Sequence, residues 1–191
     1  NMSSAANDGF FGDFISSPIE PIGWFLLYLG LTAVVVLGGV EKGIEKVSKV
    51  MMPILVVLTI FIAGYSMFMP GALDGVKFYL MPDFSKFSAT TVLAAMGQLF
   101  YSMSLAMGIM ITYGSYMKKD VSLEGSVKQI ELFDTGIAFL AGLMIIPAVF
   151  AFSNGDETAL GKGPGLMFVT LPKVFESMTG GSIIGTLFFV L

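Results

Sequence analysis

The chain has 191 residues, of which 55% are hydrophobic and 13% charged, and its formal net charge at pH 7 is −4. Soluble domains are about 45–50% apolar and about 25% charged, so this composition indicates a protein that resides in a lipid bilayer. Cysteine and histidine are both absent and the lysines form no basic block, so we expect neither an enzyme nor a nucleic-acid partner.

Five hydrophobic stretches follow one another along the chain. The first four are long enough to cross about 30 Å of hydrocarbon, which takes about 20 helical residues, and they lack the alternation of barrel strands. We predict one transmembrane domain over residues 1–191, with helices over about 22–40, 50–69, 88–116 and 127–152 and a truncated helix from 181. Outer loops are predicted over 1–21, 70–87 and 153–180. Because the last stretch stops before it can span, we expect a fragment of a longer protein.

The lysines distinguish the two sides of the membrane. Two short connections between predicted helices carry Lys42, Lys46, Lys49, Lys118, Lys119 and Lys128. Cytoplasmic loops of membrane proteins are enriched in Lys and Arg, so these connections are predicted to be cytoplasmic and residues 1–21 extracellular. We therefore expect a multi-pass protein of the cell membrane.

The predicted outer loop 153–180 is unusually apolar on both sides of Pro172. Such a segment either folds back onto the protein or lies among the lipid headgroups. The sequence leaves both possibilities open.

The third hydrophobic stretch is longer than a membrane span requires. Its uncharged run covers residues 87–117, about 46 Å if it were wholly helical. Polar and small residues collect at its centre, namely Gly97, Gln98, Tyr101, Ser102, Ser104 and Gly108. One interpretation is a helix that is broken at mid-membrane, where its backbone carbonyls face an ion or a ligand. The other is a continuous helix whose small and polar residues pack against neighbouring helices.

Asp134 is the one acidic residue that could lie within the bilayer. If its helix begins near Thr135, the carboxylate lies at the helix start and interacts favourably with the helix dipole. If the helix begins near Ser126, Asp134 is a buried acid, which costs several kcal/mol unless a partner such as a cation is present.

Several motifs resemble the bacterial neurotransmitter:sodium symporter family. They are Gly-Val-Glu-Lys-Gly-Ile-Glu-Lys at 39–46, Tyr-Leu-Met-Pro-Asp-Phe-Ser-Lys at 79–86, Gly-Gln-Leu-Phe-Tyr-Ser-Met-Ser-Leu-Ala-Met-Gly at 97–108 and Ile-Thr-Tyr-Gly-Ser-Tyr at 111–116. Residues 168–172 and 179–181 are similar to the family's outer lid and the start of its eighth helix. The resemblance implies an all-α fold of two inverted five-helix repeats. This chain would supply family helices four to eight, with the sixth unwound near 103–108.

The resemblance also implies roles for individual residues. Tyr101, Ser102, Ser104 and Met107 would line the substrate site, and Ser102 and Asp134 would bind a sodium ion. In chloride-dependent relatives an anion lies beside this sodium, at positions that match Gln98, Ser102, Asp134 and Ala138. Ala138 cannot ligate an anion, so we expect the Asp134 carboxylate to supply that negative charge and transport to be chloride-independent.

The expected function is sodium-coupled symport of an amino acid, hydrophobic or aromatic, or of a related small amine. The cotransported sodium is the expected cofactor, with no organic one, and the remaining helices of the full-length protein would complete the site. Two alternatives stay open. One is a proton-coupled transporter of related fold with Asp134 as the titrating group, and the other is a non-transporting membrane scaffold.

Overall fold

The computed structural model describes residues 2–7, 9–156, 160 and 164–191. Their secondary structure is helical throughout, with no strand among them. The α-helices are α1 (Met2–Ala5), α2 (Phe10–Ser16), α3 (Glu20–Leu37), α4 (Glu45–Met67), α5 (Ala72–Leu80), α6 (Ala89–Ser102), α7 (Ile109–Ser115), α8 (Leu123–Phe152), α9 (Pro164–Ser177) and α10 (Gly181–Val190). A π-helical turn, Val40–Ile44, joins α3 to α4, and a 3₁₀ turn, Phe84–Lys86, precedes α6.

The predicted hydrophobic stretches correspond to these helices. Within the described residues, α3, α4 and α8 are long and apolar enough to cross a membrane. The third predicted stretch is divided into α6 and α7, so the predicted interruption near 103–108 is confirmed. The all-α fold class is confirmed as well.

Several boundaries differ from the sequence-based expectation: α3 ends at Leu37 rather than near 40, and the predicted outer loops 1–21 and 153–180 contain α1, α2 and α9. The second membrane helix begins at Glu45 rather than near 50, so Pro53 lies inside it. α8 begins at Leu123, four residues before its predicted start. The predicted outer loop 70–87 contains α5, whose charged residues Asp74 and Lys77 masked a short amphipathic helix.

The described residues form two compact units. The first comprises the residues up to Tyr79 together with Ala141–Leu191, and the second comprises Leu80–Leu140. The prediction of one transmembrane domain over the whole chain stays a prediction.

The core of the first unit lies where α4, α8, α9 and α10 meet. Its buried residues are Ile62, Ala63, Met144, Ala148, Leu171, Val174, Phe175, Met178 and Phe188. α9 contributes side chains with almost no exposed surface, 0% for Leu171 and Val174 and 1% for Phe175. Of the two possibilities for the apolar outer segment, the one in which it folds back onto the protein is therefore confirmed.

α5 lies against α8 at two glycines. A Cβ atom at Gly75 would stand 2.8 Å from the Pro147 Cα and 3.0 Å from the Phe150 Cβ, closer than van der Waals contact allows. A Cβ at Gly142 would collide with the ring of Tyr79, whose hydroxyl pKa is raised by burial. The backbones of the two helices approach this closely because neither position carries a side chain.

We predict that Gly75→Ala destabilises the protein by about 1–3 kcal/mol, because the new methyl group meets backbone that cannot move aside. Gly142→Ala is expected to lower the free energy of unfolding by less, since the Tyr79 side chain can rotate away. Gly64→Ala is the matched control, because it lies within α4 with no atom within 4 Å of its added Cβ. That control is expected to be neutral or to gain up to about 1 kcal/mol from helix propensity. Thermal unfolding of the detergent-purified protein measures all three, and equal effects of Gly75→Ala and Gly64→Ala would contradict the packing described here.

Candidate functional site

The second unit is organised around a broken helix. α6 ends at Ser102, α7 begins at Ile109, and the six residues between them are non-helical. The break begins with two backbone hydrogen bonds that close the end of α6. The Leu105 N–H donates to the Phe100 carbonyl at 2.9 Å and the Ser104 N–H to the Tyr101 carbonyl at 3.0 Å. This pair of bonds is the Schellman motif, which ends helices when one residue adopts a left-handed conformation.

Three residues of the break are left-handed. Their φ angles are 55° at Ser104, 64° at Ala106 and 76° at Gly108. Glycine adopts such angles freely, whereas for alanine and serine they carry a cost of about 1–2 kcal/mol. Backbone strain of this kind concentrates at ligand sites and switch regions.

The break leaves backbone acceptors unused. In the part of the chain that the structure describes, no short, well-aligned backbone hydrogen bond ends on a carbonyl of residues 102–107, although residues 103–106 form turns. An unpaired carbonyl is costly in hydrocarbon, so irregular backbone at membrane depth occurs where it faces protein, water or a bound ion. Hard cations such as sodium prefer oxygen ligands of this type.

Asp134 and Ser102 meet beside this break. The Ser102 hydroxyl donates to an Asp134 carboxylate oxygen at 2.6 Å, which is a short hydrogen bond. α8 begins at Leu123, so Asp134 lies about 16 Å along its helix and not at its start. The helix-start interpretation of Asp134 is therefore wrong. Ser102 and Asp134, the two residues expected to bind sodium, are thus in direct contact.

The other predicted site residues lie around this pair without contacting it through side-chain hydrogen bonds. Gln98 is one turn before Ser102 on α6, is exposed, and forms no side-chain hydrogen bond with any described residue. Tyr101 and Met107 are 69% and 49% exposed within this chain. Ser104 contributes a left-handed backbone conformation to the break.

Acidic residues are sparse around this site. No group of three or more acidic residues that could hold a metal ion occurs among the residues that the structure describes. Asp134 is the acidic residue whose side chain contacts the end of α6, through its hydrogen bond with Ser102.

The sequence did not single out Leu105 and Ala106. Their carbonyls belong to the open segment, and Ala106 is one of its left-handed residues. An apolar residue that acts through its backbone carries no signal in composition or periodicity. The only local indication was Gly108, which supplies the left-handed residue just before α7.

Comparison with known proteins places these features in a family. The profile of the sodium:neurotransmitter symporter family matches residues 15–191. An uncharacterized sodium-dependent transporter of Bacillus subtilis, YhdH, is 40% identical over 189 residues, which is 99% of this chain and 40% of that protein. An uncharacterized sodium-dependent transporter of Haemophilus influenzae is 36% identical over 92% of this chain and 38% of its own length. This chain thus spans about two fifths of the relatives that it matches.

The fold is also that of a solved structure. The crystal structure of MhsT in complex with L-phenylalanine superimposes with a TM-score of 0.85 at 44% sequence identity, covering 95% of this chain and 41% of MhsT. Together with the long apolar helices, this makes the chain part of a multi-pass membrane protein. With its motifs, its broken helix and the family profile in agreement, the chain belongs to the sodium:neurotransmitter symporter family.

Proposed function

We propose that the protein containing this chain is a sodium-coupled symporter of hydrophobic or aromatic amino acids, that it works by alternating access, and that it is not an enzyme. The observation that carries this proposal is the broken helix, where the unpaired carbonyls of residues 102–107 lie beside the hydrogen-bonded Ser102 and Asp134. Transporters bind ions and substrates at broken helices of this type near mid-membrane. The expected setting is the cell membrane, with residues 1–21 extracellular.

Sodium binding follows from the donor chemistry. The Asp134 carboxylate supplies one negative charge, and the Ser102 hydroxyl and nearby carbonyls supply neutral oxygens. The bound ion would in turn neutralise a carboxylate that is otherwise expensive in the membrane. We propose Ser102 and Asp134 as sodium ligands, with Gln98 next to them where chloride-dependent relatives bind their anion.

The substrate proposal rests on the side chains that flank the break. Tyr101 and Met107 present an aromatic ring and a flexible thioether, which suit an apolar side chain of variable shape. MhsT, the solved relative, binds L-phenylalanine. We propose Tyr101, Ser102, Ser104 and Met107 as the substrate contacts from this chain, and the remaining helices of the protein as the source of the others.

Proton coupling is the second candidate, and Asp134 is the observation that favours it. A carboxylate inside a membrane helix is the usual carrier of a proton in transporters. The same Ser102 hydrogen bond would orient it. A scaffold without transport has less support, because the third stretch is interrupted and Gln98 makes no hydrogen bond to a described neighbouring helix.

Uptake into proteoliposomes separates these functions. With radiolabelled L-phenylalanine, we expect an inward sodium gradient to drive accumulation, and its replacement by choline to abolish accumulation. A pH gradient in sodium-free medium is expected to drive none. Accumulation driven by the pH gradient alone would establish the proton-coupled transporter instead, and binding or uptake of no amino acid would favour the scaffold.

We predict that Asp134→Asn lowers sodium affinity by about 10- to 100-fold, the effect of losing a charged partner worth about 1.5–3 kcal/mol, or makes uptake depend on added chloride. Sodium titration of uptake, with chloride and with gluconate, measures both. Glu131→Gln is the matched control, because Glu131 is an exposed acid of the same helix less than one turn away. Unchanged sodium affinity with chloride-independent uptake in Asp134→Asn would reject the proposed role.

Gly108→Ala is predicted to destabilise the broken segment by about 1–2 kcal/mol and to weaken L-phenylalanine binding, because alanine resists a φ of 76°. Gly97→Ala is its matched control, because Gly97 lies in regular α6 with no atom within 4 Å of an added Cβ. Equilibrium binding and thermal unfolding measure the pair. If both substitutions behave alike, the left-handed backbone at Gly108 is not needed.

A further inference from the structure

A long-range hydrogen bond joins the last turn of α4 to the end of α9. The Tyr65 hydroxyl donates to the Ser177 carbonyl at 2.9 Å, and the hydroxyl oxygens of the two residues are 3.4 Å apart. The residues are 112 positions apart in the sequence. Both belong to the first unit of the structure.

The acceptor is a carbonyl that α9 cannot satisfy internally. Ser177 is the last residue of α9, and the last four carbonyls of a helix have no partner within it. The hydroxyl of Ser177 donates to the Val174 carbonyl at 2.7 Å, one turn earlier. Tyr65 therefore supplies from another helix a donor that caps the end of α9.

The same end of α9 is held by close packing. Phe175 is 1% exposed, and its ring lies 5.8 Å from that of Phe188 on α10. The turn into α10 is so tight that a Cβ at Gly181 would collide with the Phe175 carbonyl. The hydroxyl of Tyr65 thus lies at the exposed end of a helix whose residues Leu171, Val174 and Phe175 are buried.

We propose that Tyr65 is a positioning residue that keeps the carboxyl-terminal end of α9 seated on α4, so that the two helices move together. α9 contains the segment that resembles the family's outer lid. If the proposed transport function holds, this latch limits how readily the lid opens and how fast bound substrate escapes outward. The latch itself depends only on contacts within the first unit.

Tyr65→Phe tests the latch in the full-length protein, because it removes the hydroxyl and keeps the ring. Tyr28→Phe is the matched control, because Tyr28 is 71% exposed on α3 and its hydroxyl bonds to no described residue. Hydrogen exchange read by mass spectrometry measures the opening of α9. We expect exchange in α9 and the last turn of α4 to rise by about two- to tenfold in Tyr65→Phe, the effect of one neutral hydrogen bond, and not in Tyr28→Phe.

Ser177→Ala provides a second, independent test. Because the acceptor is a backbone carbonyl, removal of the Ser177 hydroxyl is expected to change exchange in α9 less than Tyr65→Phe does. Equal or larger effects of Ser177→Ala would show that the side chain, not the capped carbonyl, holds the helix. Unchanged exchange in Tyr65→Phe would overturn the latch altogether.

The rate at which bound L-phenylalanine dissociates in saturating sodium tests whether the latch affects closure of the lid. We expect dissociation to be about two- to tenfold faster in Tyr65→Phe, in line with its exchange. Faster exchange with unchanged dissociation would overturn the role in closure while leaving the latch in place. Because exchange needs no transport, a protein that fails to transport but shows the exchange change refutes only the proposed function.

Discussion

Hydrocarbon offers no hydrogen-bond partner to the polypeptide backbone, and the rest of this structure depends on that constraint. A helix inside a membrane satisfies its own carbonyls, so a break in one leaves acceptors that something else must satisfy. Here the carbonyls of residues 102–107 are in that position. The two Schellman hydrogen bonds at the end of α6 satisfy the carbonyls of Phe100 and Tyr101 on one side of the break. The carbonyls of residues 102–107 need another partner, which could be an ion, a ligand or water.

The first unit meets the same constraint by close packing. Its helices α4, α8 and α9 each contain a proline, at Pro53, Pro147 and Pro172, and each proline removes one backbone donor. Pro147 lies inside the continuous helix α8, and Gly75 of α5 lies against it, so another helix covers the point where the proline removes a donor. The chain thus contains both a continuous helix with an internal proline and a helix that is broken, between α6 and α7.

Much of the fold could be predicted from the sequence, because the length and periodicity of hydrophobic stretches indicate helices in a bilayer directly. The interruption of the third stretch followed from its excess length and its polar centre. The pairing of Ser102 with Asp134 was implied only through the family resemblance, since two residues 32 positions apart carry no local signal of contact. The helix α5 was missed because Asp74 and Lys77 masked its amphipathic pattern and because its close contact with α8, at Gly75 and Gly142, is tertiary. Tyr65 and Ala106 were missed because one acts across 112 positions and the other through its backbone.

In the two proposed functions, sodium coupling and proton coupling would use the same carboxylate, that of Asp134. Sodium and a proton would compete for the same carboxylate, and the Ser102 hydroxyl can donate to one of its oxygens in either case. Protonation would remove the charge that holds the cation but would also relieve the cost of an ionised acid in the membrane. Sodium binding relieves that cost without a proton, whereas an asparagine at this position would carry no charge to neutralise. If Asp134 binds the cation as we propose, its carboxylate supplies within the chain the counter-charge that Ala138 cannot supply.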